Sequence, residues 1–146
     1  MRVARLLPSQ VPAVVEMARR AYEWGTGKRD YNPEMSLRAW AGMVGAGSGV
    51  VLAVMDGEHP VGLLCGYRSI NIDTGKLTAQ MWHWFVEPEA RGWGLQLLRE
   101  FERWAEEQGC QRIAIGCNAN LWTEKHHKIY ARKGYELEGL NFSKER

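Results

Sequence analysis

The run from Val3 to Leu7 predicts a short opening strand. Ser9 is placed to cap the helix that follows, with Pro12 tolerated in its first turn. Val11, Val14, Val15, Ala18, Ala21 and Tyr22 recur at helical spacing and mark one apolar stripe. Glycine, aspartate and Pro33 punctuate residues 25–33, which predicts a loop. Leu37, Trp40, Ala41 and Val44 predict a second, short helix, ended by Gly45, Gly47 and Gly49. The pattern then changes period. Residues 49–55 are a β-branched apolar run, Asp56 and Gly57 open a turn, and residues 60–70 return as a hairpin. A second turn at residues 73–76 leads to a third long strand at 77–87, which completes an antiparallel meander.

Beyond the meander, helix and strand alternate. Leu97, Leu98, Phe101, Trp104 and Ala105 predict an amphipathic helix over about residues 93–108, with Gly109 past its end. Residues 111–117 read as a strand, residues 118–122 as a turn, and a helix then runs to about Lys133 and stops at Gly134. Residues 135–143 alternate and predict a final strand. The order is βααβββαβαβ, an α+β fold built on a mixed sheet with flanking helices. No repeat, linker or low-complexity tract interrupts it, so one domain spanning residues 1–146 is expected.

Composition narrows the partners. Nineteen Lys and Arg against 17 Asp and Glu give a net charge of +2, too little to point to nucleic acid or an anionic membrane. No apolar run approaches the roughly 18 residues of a membrane span. The first twelve residues, MRVARLLPSQVP, are too broken for a signal peptide, so a cytoplasmic protein is expected. Three cysteines, Cys65, Cys110 and Cys117, make a poor disulfide framework. With His126 and His127 they match no common zinc spacing, so no metal is expected. Seven tryptophans are an unusual load for 146 residues.

Candidate chemistry concentrates between Trp82 and Gln96. A strand ends at Pro88, a glycine-containing loop follows, and a helix starts near Gly94. The glycines let backbone approach a ligand, and the first amides of the helix point outward with the positive end of its dipole. Such a junction suits a pyrophosphate. It is not a P-loop, because GxxxxGK[ST] is absent, and not a dinucleotide fingerprint, because the third glycine of GxGxxG would fall at Leu97.

The stretch resembles the acyl-CoA-binding motif of the GCN5-related N-acetyltransferase (GNAT) superfamily. That motif is an apolar strand ending Val-x-Pro, then Arg/Gln-x-x-Gly-x-Gly/Ala, then an amphipathic helix. Val86, Pro88, Arg91 and Gly94 match it. Gln96 stands where glycine or alanine is usual, so its side chain must point away from the phosphates while its backbone N–H stays available. Tyr130, four residues before Gly134-Tyr135, repeats a second family motif. Short phage-encoded and bacterial members look most alike in length and basic C-terminus.

The resemblance implies acetyl transfer from acetyl-CoA to a primary amine by direct attack. It implies that pantetheine pairs with backbone near Phe85 and Val86, and that Arg91, Gly92, Trp93, Gly94, Leu95 and Gln96 take the pyrophosphate. Tyr130 would protonate the departing thiolate. The acceptor would lie against Trp24, Tyr31, Trp40, Trp82 and Trp84, with Glu23, Asp30 and Glu34 near enough to attract its charge. The base stays open between His83, Glu87 and a water relay. Strand parity places His83 with Met81 and Phe85, and Gln80, Trp82, Trp84 and Val86 on the other face. His126 and His127 read as helix surface, and Trp104 as core. Expected partners are a small-molecule or peptide amine, with a homodimer left open. Two alternatives stand beside this. One is a module that holds CoA or a partner without turnover. The other is a phage protein that modifies a nucleobase amine, for which Arg132, Lys133, Lys144 and Arg146 are the support.

Overall fold

The computed structural model describes residues 1–116 and 124–146. The chain divides into two compact units, Met1–Gly116 and Cys117–Arg146. In the first, five strands form one sheet in the order β1-β2-β3-β4-β5. They are β1 (Arg2–Arg5), β2 (Gly49–Asp56), β3 (His59–Ile70), β4 (Leu77–Val86) and β5 (Arg112–Ala114). The first four run antiparallel to their neighbours, and β5 is parallel to β4.

Turn chemistry sets the meander. Gly57, at φ +61°, lies in the two-residue turn between paired Asp56 and His59, a conformation that glycine adopts without strain. The Asn71 side chain accepts hydrogen bonds from the N–H groups of Asp73 (2.9 Å) and Thr74 (3.1 Å), which folds the second turn locally.

Three helices cover the sheet of this unit. The helix α3 (Gly94–Glu107) lies on one face, and α1 (Val15–Thr26) and α2 (Pro33–Gly45) lie on the other. The α3 stripe of Leu97, Leu98, Phe101 and Trp104 is buried against Val50, Leu52, Val54 and Leu64. On the opposite face Met17, Ala18 and Trp40 cover Val51, Ala53, Leu63 and Cys65. β2 therefore reads as a continuous apolar run because both its faces are core. Gly66 is where α3 comes closest: a Cβ there would sit 2.5 Å from Phe101 Cε2 and 2.6 Å from the Gln80 carbonyl oxygen.

The ends of several elements differ from the sequence expectation. Ser9 caps no α-helix: the chain enters through a 3₁₀ helix, Pro8–Val14, whose start is tied by Leu7 N–H donating to Gln10 Oε1 at 2.8 Å. Pro12 fits there because a short, tight helix leaves many amides unused. α1 runs through Gly25 to Thr26 and stops at Gly27, φ +71°. α2 begins at Pro33, capped by Asn32, whose side chain accepts from Met35 N–H at 2.9 Å. Asn-Pro is therefore a helix start here rather than loop interior.

In the second unit α4 (Glu124–Arg132) carries Tyr130 and ends at Gly134, φ +87°. The expected strand at residues 135–143 does not form. Alternation gives a segment a face, but a strand needs a ladder partner, and this unit holds no other strand among its described residues. Leu137, Leu140 and Phe142 are left exposed. Among the described residues the order is βααβββαβα, and the class remains α+β with a mixed sheet. Cys117, the turn at 118–122 and Trp122 lie outside the described residues. Among those described, no helix is long and apolar enough to cross a membrane.

Candidate active site

The junction after β4 is built as a tight corner. Glu87 N–H donates to the Val61 carbonyl at 2.9 Å, which pins the strand end to β3. Pro88–Ala90 make one 3₁₀ turn, and Ala90 is fully buried as the anchor of the corner. Gly92 then takes φ +93°, a backbone region that favours glycine, and nothing lies within 4 Å of the position of its missing Cβ. Trp93 N–H donates to the Ala90 carbonyl at 3.0 Å, and α3 begins with no side-chain cap.

Among the described residues, the N–H groups of Gly92, Gly94 and Leu95 have no backbone acceptor, so they face outward at the positive end of a 14-residue helix. Gln96 differs from the expectation. Its N–H donates to the Trp93 carbonyl at 3.0 Å, because the first turn of α3 is tightened toward 3₁₀ geometry, and its side chain is exposed. Arg91 is also exposed beside the corner. This arrangement fits a pyrophosphate: three amides, one cation and open space over a glycine.

The neighbouring strand supplies the second part of the site. β4 pairs with β5 only from Thr78↔Arg112 to Gln80↔Ala114, and the ladder does not continue toward Phe85 and Val86 among the described residues. A peptide-like chain can therefore lie along that edge of β4, as extended ligands do on open sheet edges.

Strand parity fails at Trp82. Cys65 pairs with His83 but Gly66 pairs with Met81, so Trp82 is an extra residue, a β-bulge. The facing reverses across it. Ala79, Met81, Trp84 and Val86 all pack toward α3. Phe85, and His83 opposite buried Cys65, face α1 and α2. His83 therefore does not share a face with Met81, and Trp84 and Val86 do not share one with Gln80 and Trp82. Trp84 lies instead under the corner, where a Cβ on Gly94 would meet its Nε1 at 3.6 Å.

The α1/α2 side of β4 is lined with rings. Trp24 sets its edge on Phe85, with centroids 6.0 Å apart. Trp82 lies 6.2 Å from Tyr67, which lies 6.5 Å from Trp40. Trp24 and Trp82 are 65% and 60% exposed, whereas Trp40 is buried and serves the core. Tyr31 is half-buried, and its hydroxyl donates to Ser36 Oγ at 2.5 Å. Sequence reasoning missed Tyr67 and Arg20. The Arg20 guanidinium sits 5.7 Å from the Phe85 ring centroid and pairs with Glu87. The Glu87 carboxylate is thus held against α1.

Burial pulls the His83 imidazole down to about 4, so it is neutral near neutral pH. The same desolvation pushes the Cys65 thiol up to about 12, only slightly opposed by a backbone hydrogen bond at His83, so it stays an unreactive thiol. Of the acidic residues expected to attract an amine, Glu23 is paired with Arg19. Asp30 accepts from the Tyr22 hydroxyl at 2.6 Å, which holds its carboxyl below the usual range. Glu34 stands in the first turn of α2.

In the second unit Tyr130 meets Tyr135 edge-on (6.2 Å between centroids) and makes a tilted contact with His126 (6.3 Å). Tyr135 N–H donates to the Tyr130 carbonyl at 2.9 Å, which closes the helix behind it.

The model of the acetyltransferase (GNAT) family matches residues 11–135. No curated protein sequence matches the chain. Solved structures match along nearly its full length. A probable acetyltransferase superposes with a TM-score of 0.76 at 19% identity, covering 99% of this chain and 100% of that one. AAC(6')-Iy, in complex with the bisubstrate analogue CoA-S-monomethyl-acetylneamine, gives 0.75 at 16% identity over 99% and 97%. A ribosomal-protein-alanine N-acetyltransferase from Brucella melitensis biovar Abortus 2308 gives 0.72 at 14% identity over 100% of both chains.

Proposed function

The chain belongs to the acetyltransferase (GNAT) family, and from that premise we propose that it transfers an acetyl group from acetyl-CoA to a primary amine by direct attack. The observation that carries this reading is the corner at Pro88–Gly94, with its three outward amides beside the edge of β4 where pairing with β5 stops. Acetyl-CoA is the co-substrate and supplies a thioester carbonyl open to attack.

The chain's own groups divide the remaining work. Gly92, Gly94 and Leu95 N–H, with Arg91, hold the pyrophosphate, and backbone near Phe85 and Val86 aligns the pantetheine. The amine nitrogen forms a bond to the thioester carbon, and the carbon–sulfur bond breaks. The amine proton must leave and the thiolate must gain one. A water relay carries the amine proton away, because desolvation makes His83 a weak base and Glu87 is paired with Arg20, while neutral His83, turned to the α1/α2 side by the bulge, accepts a hydrogen bond from the amine. Tyr130 protonates the sulfur through its phenol O–H.

AAC(6')-Iy, whose crystallised analogue joins CoA to an acetylneamine, supports an amine as acceptor and CoA as donor. The test is steady-state kinetics on Tyr130→Phe. The expected result is a fall in kcat of about 10²-fold or more with acetyl-CoA affinity unchanged. Unchanged turnover would remove Tyr130 from the acid role.

A further inference from the structure

The acceptor side of β4 is more specific than an amine site in general. Two exposed indoles, Trp24 and Trp82, stand over it, and each rests on another ring, Phe85 and Tyr67 respectively. Such solvent-facing aromatic surface on a sheet face is costly to leave bare and marks a binding surface. The two ring pairs bracket His83 along the strand. Trp82 precedes it, and Phe85 follows two residues on, a span of roughly 10 Å at ~3.3 Å per residue. The burial that keeps His83 neutral reports the same apolar surroundings.

The charge pattern runs against a polycation. The segment from Val15 to Gly45 carries five basic residues against four acidic ones. Glu16 and Glu23 both pair with Arg19, Glu87 with Arg20, and Asp30 with the Tyr22 hydroxyl. Glu34 is the remaining carboxylate of these segments, and it is exposed. With Arg19 and Arg20 already neutralised by these carboxylates, the segments offer no surplus of negative charge to hold several ammonium groups.

We propose that the acceptor is a primary amine joined to a flat aromatic ring by a short alkyl chain, the ring held between Trp24 and Trp82 and the nitrogen at His83. This rests on the acetyl-transfer reading and names its substrate class. Ring stacking orients the acceptor, and the short distance along the strand delivers the nitrogen to the imidazole. Trp82 also contributes through its place in the bulge, because the extra residue that turns His83 to this face is the one that supplies the ring.

The experiment compares kcat/KM for 2-phenylethylamine, n-butylamine and a polycationic aminoglycoside, on the wild-type protein and on Trp82→Leu and Trp24→Ala. The leucine variant keeps an apolar residue at the bulge. The expected result is a preference for phenylethylamine over butylamine of about tenfold or more, lost in both variants through KM. Preference for the aminoglycoside, or a ring preference that survives both substitutions, would overturn the proposal. Binding of phenylethylamine is followed in parallel by tryptophan fluorescence. If no amine turns over, the acetyl-transfer reading fails, while saturable binding weakened in Trp82→Leu still upholds the aromatic site. Absence of binding overturns the site as well.

Discussion

His83 shows how one extra residue redirects a side chain. On a regular strand it would share a face with Met81, but the bulge at Trp82 sets it opposite Cys65 on the α1/α2 side. There desolvation favours the neutral ring, whose pKa falls from 6.5 to about 4. The sign of the consequence is fixed by linkage. Between about pH 6.5 and 4 the unfolded chain binds a proton that the folded chain refuses, so stability falls as the pH drops through that window. The loss is bounded at roughly 3.5 kcal/mol, at ~1.4 kcal/mol per pKa unit. Cys65, across the ladder, stays neutral over this range and adds no slope. Urea unfolding at several pH values should show a steeper loss of stability below about pH 6.5 in the wild type than in His83→Gln. Parallel slopes would contradict a buried neutral His83.

Among the elements, the β4–corner–α3 unit was the most legible in sequence. Val86, Pro88, Gly94 and the Leu97-Leu98-Phe101-Trp104 stripe each constrain local backbone or burial, and all fall where they were expected. The bulge was not legible, because the facing of residues 82–86 depends on which residues of β3 they pair with. Ser9 failed as a cap for a similar reason: Pro8 and Pro12 allow a 3₁₀ entry that propensity alone does not distinguish from an α-helix. The corner itself makes a graded prediction. A Cβ on Gly94 would meet Trp84 and Val86 at 3.6 Å, ordinary contact, so Gly94→Ala should bind CoA within a few-fold of wild type. Gly94→Val adds branched methyls between Trp84 and the outward amides, and should weaken CoA binding by more than about tenfold, ~1.4 kcal/mol. Calorimetric titration on folded variants checks this. Equal affinity in both would move the pyrophosphate away from the corner.

Across the whole molecule, the fold class came from the switch of period between the meander and the later helix–strand alternation, and the sheet bears it out. The final strand did not follow, since alternation in residues 135–143 specifies a face without a partner. Six of the seven tryptophans that stood out in the composition lie among the described residues and now separate by surroundings. Trp40 and Trp104 are buried core, Trp84 and Trp93 lie beside the corner, and Trp24 and Trp82 open onto the acceptor side. The proposed roles are divided between the two units, the corner amides and His83 in the first and Tyr130 in the second. Acetyl transfer is the central claim. It is tested most directly by incubating the full chain with acetyl-CoA and 2-phenylethylamine, then measuring free thiol and the mass of the amine together. The account predicts one free thiol for each amine that gains a single acetyl group, with many turnovers per protein. Thiol release without acetylated amine, or no release from a folded protein that binds CoA, would contradict it.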